Sequence, residues 1–272
     1  QSILTYFIYL MNNTFKWLNA IGVEYYCSEH PPKLKVSDNT KLSEKPQAKP
    51  TPQKENGFNM NDKTHDNISL ARSLADKANN IAELKESLLN FNGCDLKKLA
   101  TNTVFSDGNP AAKIMLIGEA PGSNEDLKGI PFCGESGNLL DNMLRAIGVS
   151  RKDNAYITNT VFWRPPANRQ PTLEEVDICR PFVEKHIALI NPKLIILVGS
   201  TAATSLLGKN AGITKIRQEY YFYTNKYLAA PIQTTAMFHP AYLLRQPSQK
   251  RTSWYDLLKI KDYLESKNLI AG

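Results

Sequence analysis

Apolar runs and helix-period segments alternate along the chain from about residue 69 onward. Leu70, Leu74, Ala78, Ile81, Leu84 and Leu88 recur with a period of about 3.6, which predicts a helix over residues 70–89. The run KIMLIG at 113–118 predicts a short buried strand, and 136–147 a helix with Leu139, Leu140, Met143 and Leu144 on one side. A second strand is expected at 155–161. The next helix opens at Thr172, which forms a capping box with Glu175, and runs through Val176, Phe182, Val183 and Ile187. The wholly apolar run 194–198 suits a central strand of a parallel sheet. A short helix at 202–207, a fourth strand at 231–238 and a last helix at 253–263 complete the pattern. Strand–helix alternation of this kind implies right-handed βαβ units with helices on both faces. The expected fold is therefore a three-layer α/β/α domain over 69–272 on a mainly parallel four-stranded sheet.

The first 68 residues read differently. Ile3, Leu4, Tyr6, Phe7, Leu10, Phe15, Leu18 and Ile21 place an amphipathic helix at roughly 3–22, within an N-terminal unit of 1–27. The helix would either dock on the core or bind a protein partner. It has neither the basic start nor the small-residue cleavage site of a signal peptide. Between 28 and 68, five Pro and seven Lys sit among few large apolar residues, which predicts a flexible linker.

Composition narrows the class. With 42% apolar and 22% charged residues, the chain is neither collagen-like nor a coiled coil nor wholly disordered. No run approaches the roughly 18 apolar residues of a membrane span. A net charge of +7 is compatible with a polyanionic partner without requiring one. Cys27, Cys94, Cys133 and Cys179 form no CxxC pair and no zinc spacing, so reduced thiols, a cytoplasmic location and no bound metal are expected.

In an open α/β sheet the chemistry gathers at the carboxyl ends of the strands. Three segments there are unusual: Gly118-Glu-Ala-Pro-Gly122 followed by Glu125 and Asp126; Thr158-Asn159 leading to Trp163-Arg-Pro-Pro-Ala-Asn-Arg169; and His239-Pro-Ala-Tyr-Leu-Leu-Arg245. Each alone is an ordinary turn. Together they converge on one crevice.

Over roughly Ala82 to Leu264 the chain resembles the uracil-DNA glycosylase superfamily, most closely its family-4 type. The resemblance rests on TNTVFSDGNP (101–110), GEAPGSNED (118–126), Pro131-Phe132-Cys133-Gly134, SGNLLDNML (136–144), ITN (157–159), RPPANRQPT (164–172), CRPF (179–182) and HPAYLLR (239–245), in order. It implies an enzyme of base excision repair, acting as a monomer on uracil-containing DNA and leaving an abasic site. Phe132 would stack on the extruded base, among Gly118, Ala120, Pro121 and Gly122. The Asn159 amide, with both a donor and an acceptor, would read the uracil edge. His239 would stabilise the departing anion. Glu119 would position water, with Glu125 and Asp126 as alternatives. Leu243 would wedge into the duplex, unless the leucines of this turn face the core. Arg164, Arg169 and Arg245 would contact phosphates.

The family-4 type holds a four-iron cluster on four cysteines, and here this chain departs from it. The corresponding positions are Phe91, Cys94, Trp163 and Cys179, so no cofactor is expected and the two rings would fill the cluster's volume. Two other readings remain: a same-fold glycosylase for another deaminated base, and a non-catalytic DNA-binding module. A covalent uracil-binding branch is disfavoured, because 164–172 holds no His and no insertion.

Overall fold

A computed structural model of the protein describes residues 62–208 and 212–270. The expected N-terminal helix, and the linker as far as residue 61, lie outside the described residues. The domain begins earlier than expected, because 62–68 is already helical. Helix α1 spans Asp62–Lys77 and α2 spans Ile81–Asn90. The single helix expected over 70–89 is therefore two. The break falls at Asn79-Asn80: Asn80 leaves helical geometry and its side chain accepts the Glu83 N–H at 2.9 Å. A short polar side chain that caps so well starts a new helix even where the apolar period continues.

The remaining elements follow in order. Helix α3 is Leu96–Leu99, β1 Asp107–Gly108, β2 Ile114–Gly118, α4 Ser123–Lys128, α5 Glu135–Arg145 and β3 Ala155–Asn159. After a 3-10 turn at Pro166–Asn168 come α6 Leu173–Ile190, β4 Leu194–Val198, α7 Ser200–Leu207, α8 Ile213–Ile216, β5 Tyr221–Tyr223 and β6 Ile232–Met237. Helix α9 is Pro240–Arg245, and a second 3-10 turn leads to α10, Lys250–Ser266.

The sheet has six strands rather than four, in the order β1-β3-β2-β4-β6-β5. The four expected strands form its parallel centre. The two additions are antiparallel edges of two and three residues, too short to show any alternation in sequence. Along the central strands, side chains alternate between two cores. Met115, Ile117, Tyr156, Ile195 and Leu197 face one, under α1, α2, α6 and α7. Ile114, Leu116, Ile157, Ile196 and Val198 face the other, under α5 and α10. The three layers are thus α/β/α, as the alternation implied. Chain order places β3 on one side of β2 and β4 on the other, so the β2/β4 boundary is a topological switch point where a crevice opens.

Within the first core, Phe91 packs against Phe182 at 5.3 Å between ring centroids and against Trp163 at 6.5 Å. The Cys94 and Cys179 thiols hydrogen-bond to each other beside them, and all four residues are buried. The Trp163 indole N–H finds Thr103 Oγ1 at 2.9 Å. This apolar plug ties the loop after α2 to the loop after β3 and to α6. Truncating its centre, Phe91→Ala, is expected to cost about 3–5 kcal/mol. Urea unfolding checks this, and a loss below about 1 kcal/mol would mean that the plug contributes little.

Candidate active site

The sheet register sets Gly118, the last residue of β2, beside Asn159, the last residue of β3. A Cβ on Gly118 would come 2.5 Å from Asn159 Oδ1 and 2.5 Å from the Phe132 ring. Both groups therefore lie directly over this glycine, and any side chain there would expel them. Two strands from β2, β6 leads into His239, whose ring centroid is 5.6 Å from that of Phe132. Phe132, Asn159 and His239 meet at the mouth of one cavity of about 650 Å³.

Asn159 is buried, and its Oδ1 has no hydrogen-bond partner. A buried acceptor left unmade costs about 1–3 kcal/mol, so such an atom usually awaits a ligand donor. His239 is half-buried, and its Nδ1 accepts the Ala241 N–H at 3.1 Å. That bond fixes the neutral tautomer in which Nε2 carries the proton. Burial, reinforced by the Arg245 charge, pushes the imidazole down to about 4, against a smaller opposing pull from Glu125. At neutral pH the ring is an uncharged N–H donor. The site offers a planar heterocycle an apolar face to stack on, an unfilled acceptor and a fixed donor.

The other expected residues sort by what they touch. Glu119, Ala120, Pro121 and Gly122 line the cavity. The Glu119 backbone carbonyl accepts from Thr160 Oγ1 and the Val161 N–H, while its carboxylate makes no bond or ion pair among the described residues. Glu125 is corrected: its carboxylate accepts the N–H groups of Gly122, Cys133 and Gly134 at 2.9–3.1 Å. Oxygens so engaged shape a loop and have few lone pairs left to orient a water. Asp126 is likewise spent on the Thr101 and Asn102 N–H groups.

Leu243 is also corrected. It is fully buried in the second core, because the turn of α9 points it inward. Its neighbours Tyr242 and Leu244 are half-buried, and Arg245 stands exposed on the cavity rim. Arg164 donates to Asn168 Oδ1 at 2.7 Å, and Arg169 forms a forked ion pair with Glu175 at 2.6 and 2.9 Å. Arg169 lines the cavity with much of its charge already compensated.

The sequence reading missed Ser200 and Thr214, which also line the cavity. Ser200 follows the carboxyl end of β4, so the strand-end rule alone marks it. Thr214 lies in no recognisable motif. The positions of the family-4 cluster do not fit four-iron ligation, since two thiols supply half the donors and the rings of Phe91 and Trp163 occupy the volume. Among the described residues, no group of three or more His, Cys, Asp or Glu side chains is placed to hold a metal ion.

Comparison with known proteins agrees with this geometry. The family model described as the uracil DNA glycosylase superfamily matches residues 105–259. The type-4 uracil-DNA glycosylase of Sulfurisphaera tokodaii is 37% identical over 186 residues, 67% of this chain and 84% of that protein. That of Saccharolobus solfataricus is 39% identical, covering 64% and 82%. That of Thermotoga maritima is 37% identical, covering 68% and 94%.

The folded state holds the His239 proton less tightly than an unfolded chain does, so acidification from pH 6.5 through about 4 should favour unfolding. Ring ¹H–¹⁵N spectra are expected to show the neutral Nε2–H form from neutral pH down to about 5, titrating only near 4. A midpoint near the ordinary 6.5 would contradict the assignment.

Proposed function

This chain belongs to the uracil-DNA glycosylase superfamily, and from that premise we propose that its cavity takes a uracil flipped out of DNA and hydrolyses the N-glycosyl bond. Enzymes of this family are hydrolases of such bonds. The observation that carries the specific reading is the unfilled Asn159 Oδ1, which shares one cavity with the Phe132 ring and a neutral His239 donor.

The chemistry follows from these groups. Extruding a base costs a few kcal/mol, and the flat face of Phe132 returns part of it by stacking. Uracil N3–H donates to Asn159 Oδ1, and the amide N–H of the same side chain donates to O4. Cytosine presents the reverse pattern, an acceptor at N3 and a donor at C4, and leaves the amide mismatched. As the bond from C1′ to N1 lengthens, negative charge spreads onto O2, where His239 Nε2–H donates. A neutral donor placed where charge develops stabilises the transition state more than the ground state. Glu119, with its free carboxylate at the cavity wall, orients the water that adds to C1′. The hydroxyl stays on the sugar, the proton goes to the departing uracil, and an abasic site remains for base excision repair.

On the DNA side, Leu244 replaces Leu243 as the wedge, since it is partly exposed beside Arg245. Arg245, Arg164 and Arg169 then meet phosphates.

Incubation with a duplex carrying one uracil, followed by alkaline cleavage, tests the activity directly. Strand scission is the expected result. Binding without any base release would instead favour a non-catalytic DNA-binding module. Asn159→Ala and His239→Ala should each lower the single-turnover rate roughly 10²–10³-fold while affinity for uracil-free duplex changes little. Near-normal rates in both would overturn the site. DNA affinity should also fall roughly tenfold to a hundredfold between about 50 and 200 mM salt, as counterion release by a few cationic contacts requires.

A further inference from the structure

The ring that this reading uses as a stacking platform sits on an unusual backbone. Phe132 has φ 52°, in the left-handed region that a residue with a Cβ avoids. Its carbonyl also lies so close to Gly137 that a Cβ there would come within 1.9 Å of it. Something must hold this turn in place.

Arg151, in the loop between α5 and β3, touches neither the cavity nor the expected DNA face. Its guanidinium has five N–H donors, and all five are spent. Nη1 donates to the Pro131 carbonyl at 3.0 Å and Nη2 to the Phe132 carbonyl at 2.8 Å. Nη1 also donates to Asp107 Oδ2 at 2.8 Å, while Nε and Nη2 donate to Asp141 Oδ1 at 3.0 and 2.8 Å. Asp107 arrives on β1, the two-residue edge strand, and Asp141 on α5. From the opposite side, Glu125 takes the Cys133 and Gly134 N–H groups. A cation thus holds the carbonyls of residues 131 and 132, and an anion the N–H groups of residues 133 and 134.

We propose that Arg151, oriented by Asp107 and Asp141, is a positioning residue that sets the angle and height of the Phe132 ring. The inference rests on the reading of Phe132 as the platform for the base. Two carboxylates already balance the Arg151 charge, so its effect on catalysis is geometric rather than electrostatic. A lysine cannot substitute for it, because one ammonium with three donors at a single point does not span two carbonyls and two carboxylates.

The test is a double-mutant cycle between Arg151→Lys and Phe132→Ala in the full chain, read as single-turnover uracil release, inhibition by free uracil, and affinity for uracil-free duplex. R151K should slow release roughly 10-fold to 10²-fold, as a small misplacement of a positioning group does. It should weaken inhibition by free uracil by a similar factor and leave duplex affinity unchanged. Added to F132A, it should cost little more. Asp107→Asn, which removes one brace and leaves Arg151 in place, should give a smaller loss of the same kind and serves if R151K unfolds. An impaired F132A combined with a wild-type R151K, or with R151K losses that multiply in the F132A background, would overturn the role of Arg151. A fully active F132A would instead overturn the platform reading on which it rests.

Discussion

The close approach at Gly118 governs the site. Parallel pairing of β2 with β3 brings Gly118 level with Asn159, and the missing Cβ leaves room for the amide and the Phe132 ring above one backbone position. Every other part of the site takes its place from that stack. The turn at Phe132 must hold the ring over the glycine, which is why its amides and carbonyls are bound by Glu125 and Arg151. The α9 turn must aim His239 at the same point, which its bond from Ala241 achieves. An alanine at 118 would displace both the Asn159 amide and the Phe132 ring.

Asn159 Oδ1 is a buried acceptor without a partner at a strand end in the cavity, a local cost of the kind a functional site carries. One face of the sheet is closed by apolar contacts. There the Phe91–Trp163–Phe182 rings and the Cys94 and Cys179 thiols join three chain segments by packing. The hydrogen bond with Cys94, and then burial, push the Cys179 thiol well above its ordinary value, which suits a small apolar residue better than a ligand.

Much of this was legible in the chain. Contiguous apolar runs such as Leu194–Val198 mark central parallel strands, and the Thr172–Glu175 capping box marks the start of α6. The edge strands were not legible, because two or three residues carry no period. Nor was the break at Asn79-Asn80, where local capping competes with a continuing helical pattern. Asn159 and His239 stood out at strand ends, and Phe132, between two helices, only through a motif whose order fits a known family. The facing of Leu243 and Leu244 was hidden, since a six-residue helix has too few turns for its inner side to be read. Glu125 and Arg151 were misjudged or missed for another reason. Their partners are backbone groups of a distant turn, and backbone groups leave no mark on a sequence.

The central claim is that Asn159, held over Gly118, selects uracil by its hydrogen-bonding edge. Its most direct test is single-turnover base release from duplexes identical except for one uracil or one cytosine. A site built to receive an N–H rejects an analogue lacking it by roughly 10⁴–10⁵. Uracil should therefore leave at least about 10³-fold faster than cytosine. Comparable release of cytosine would contradict the account.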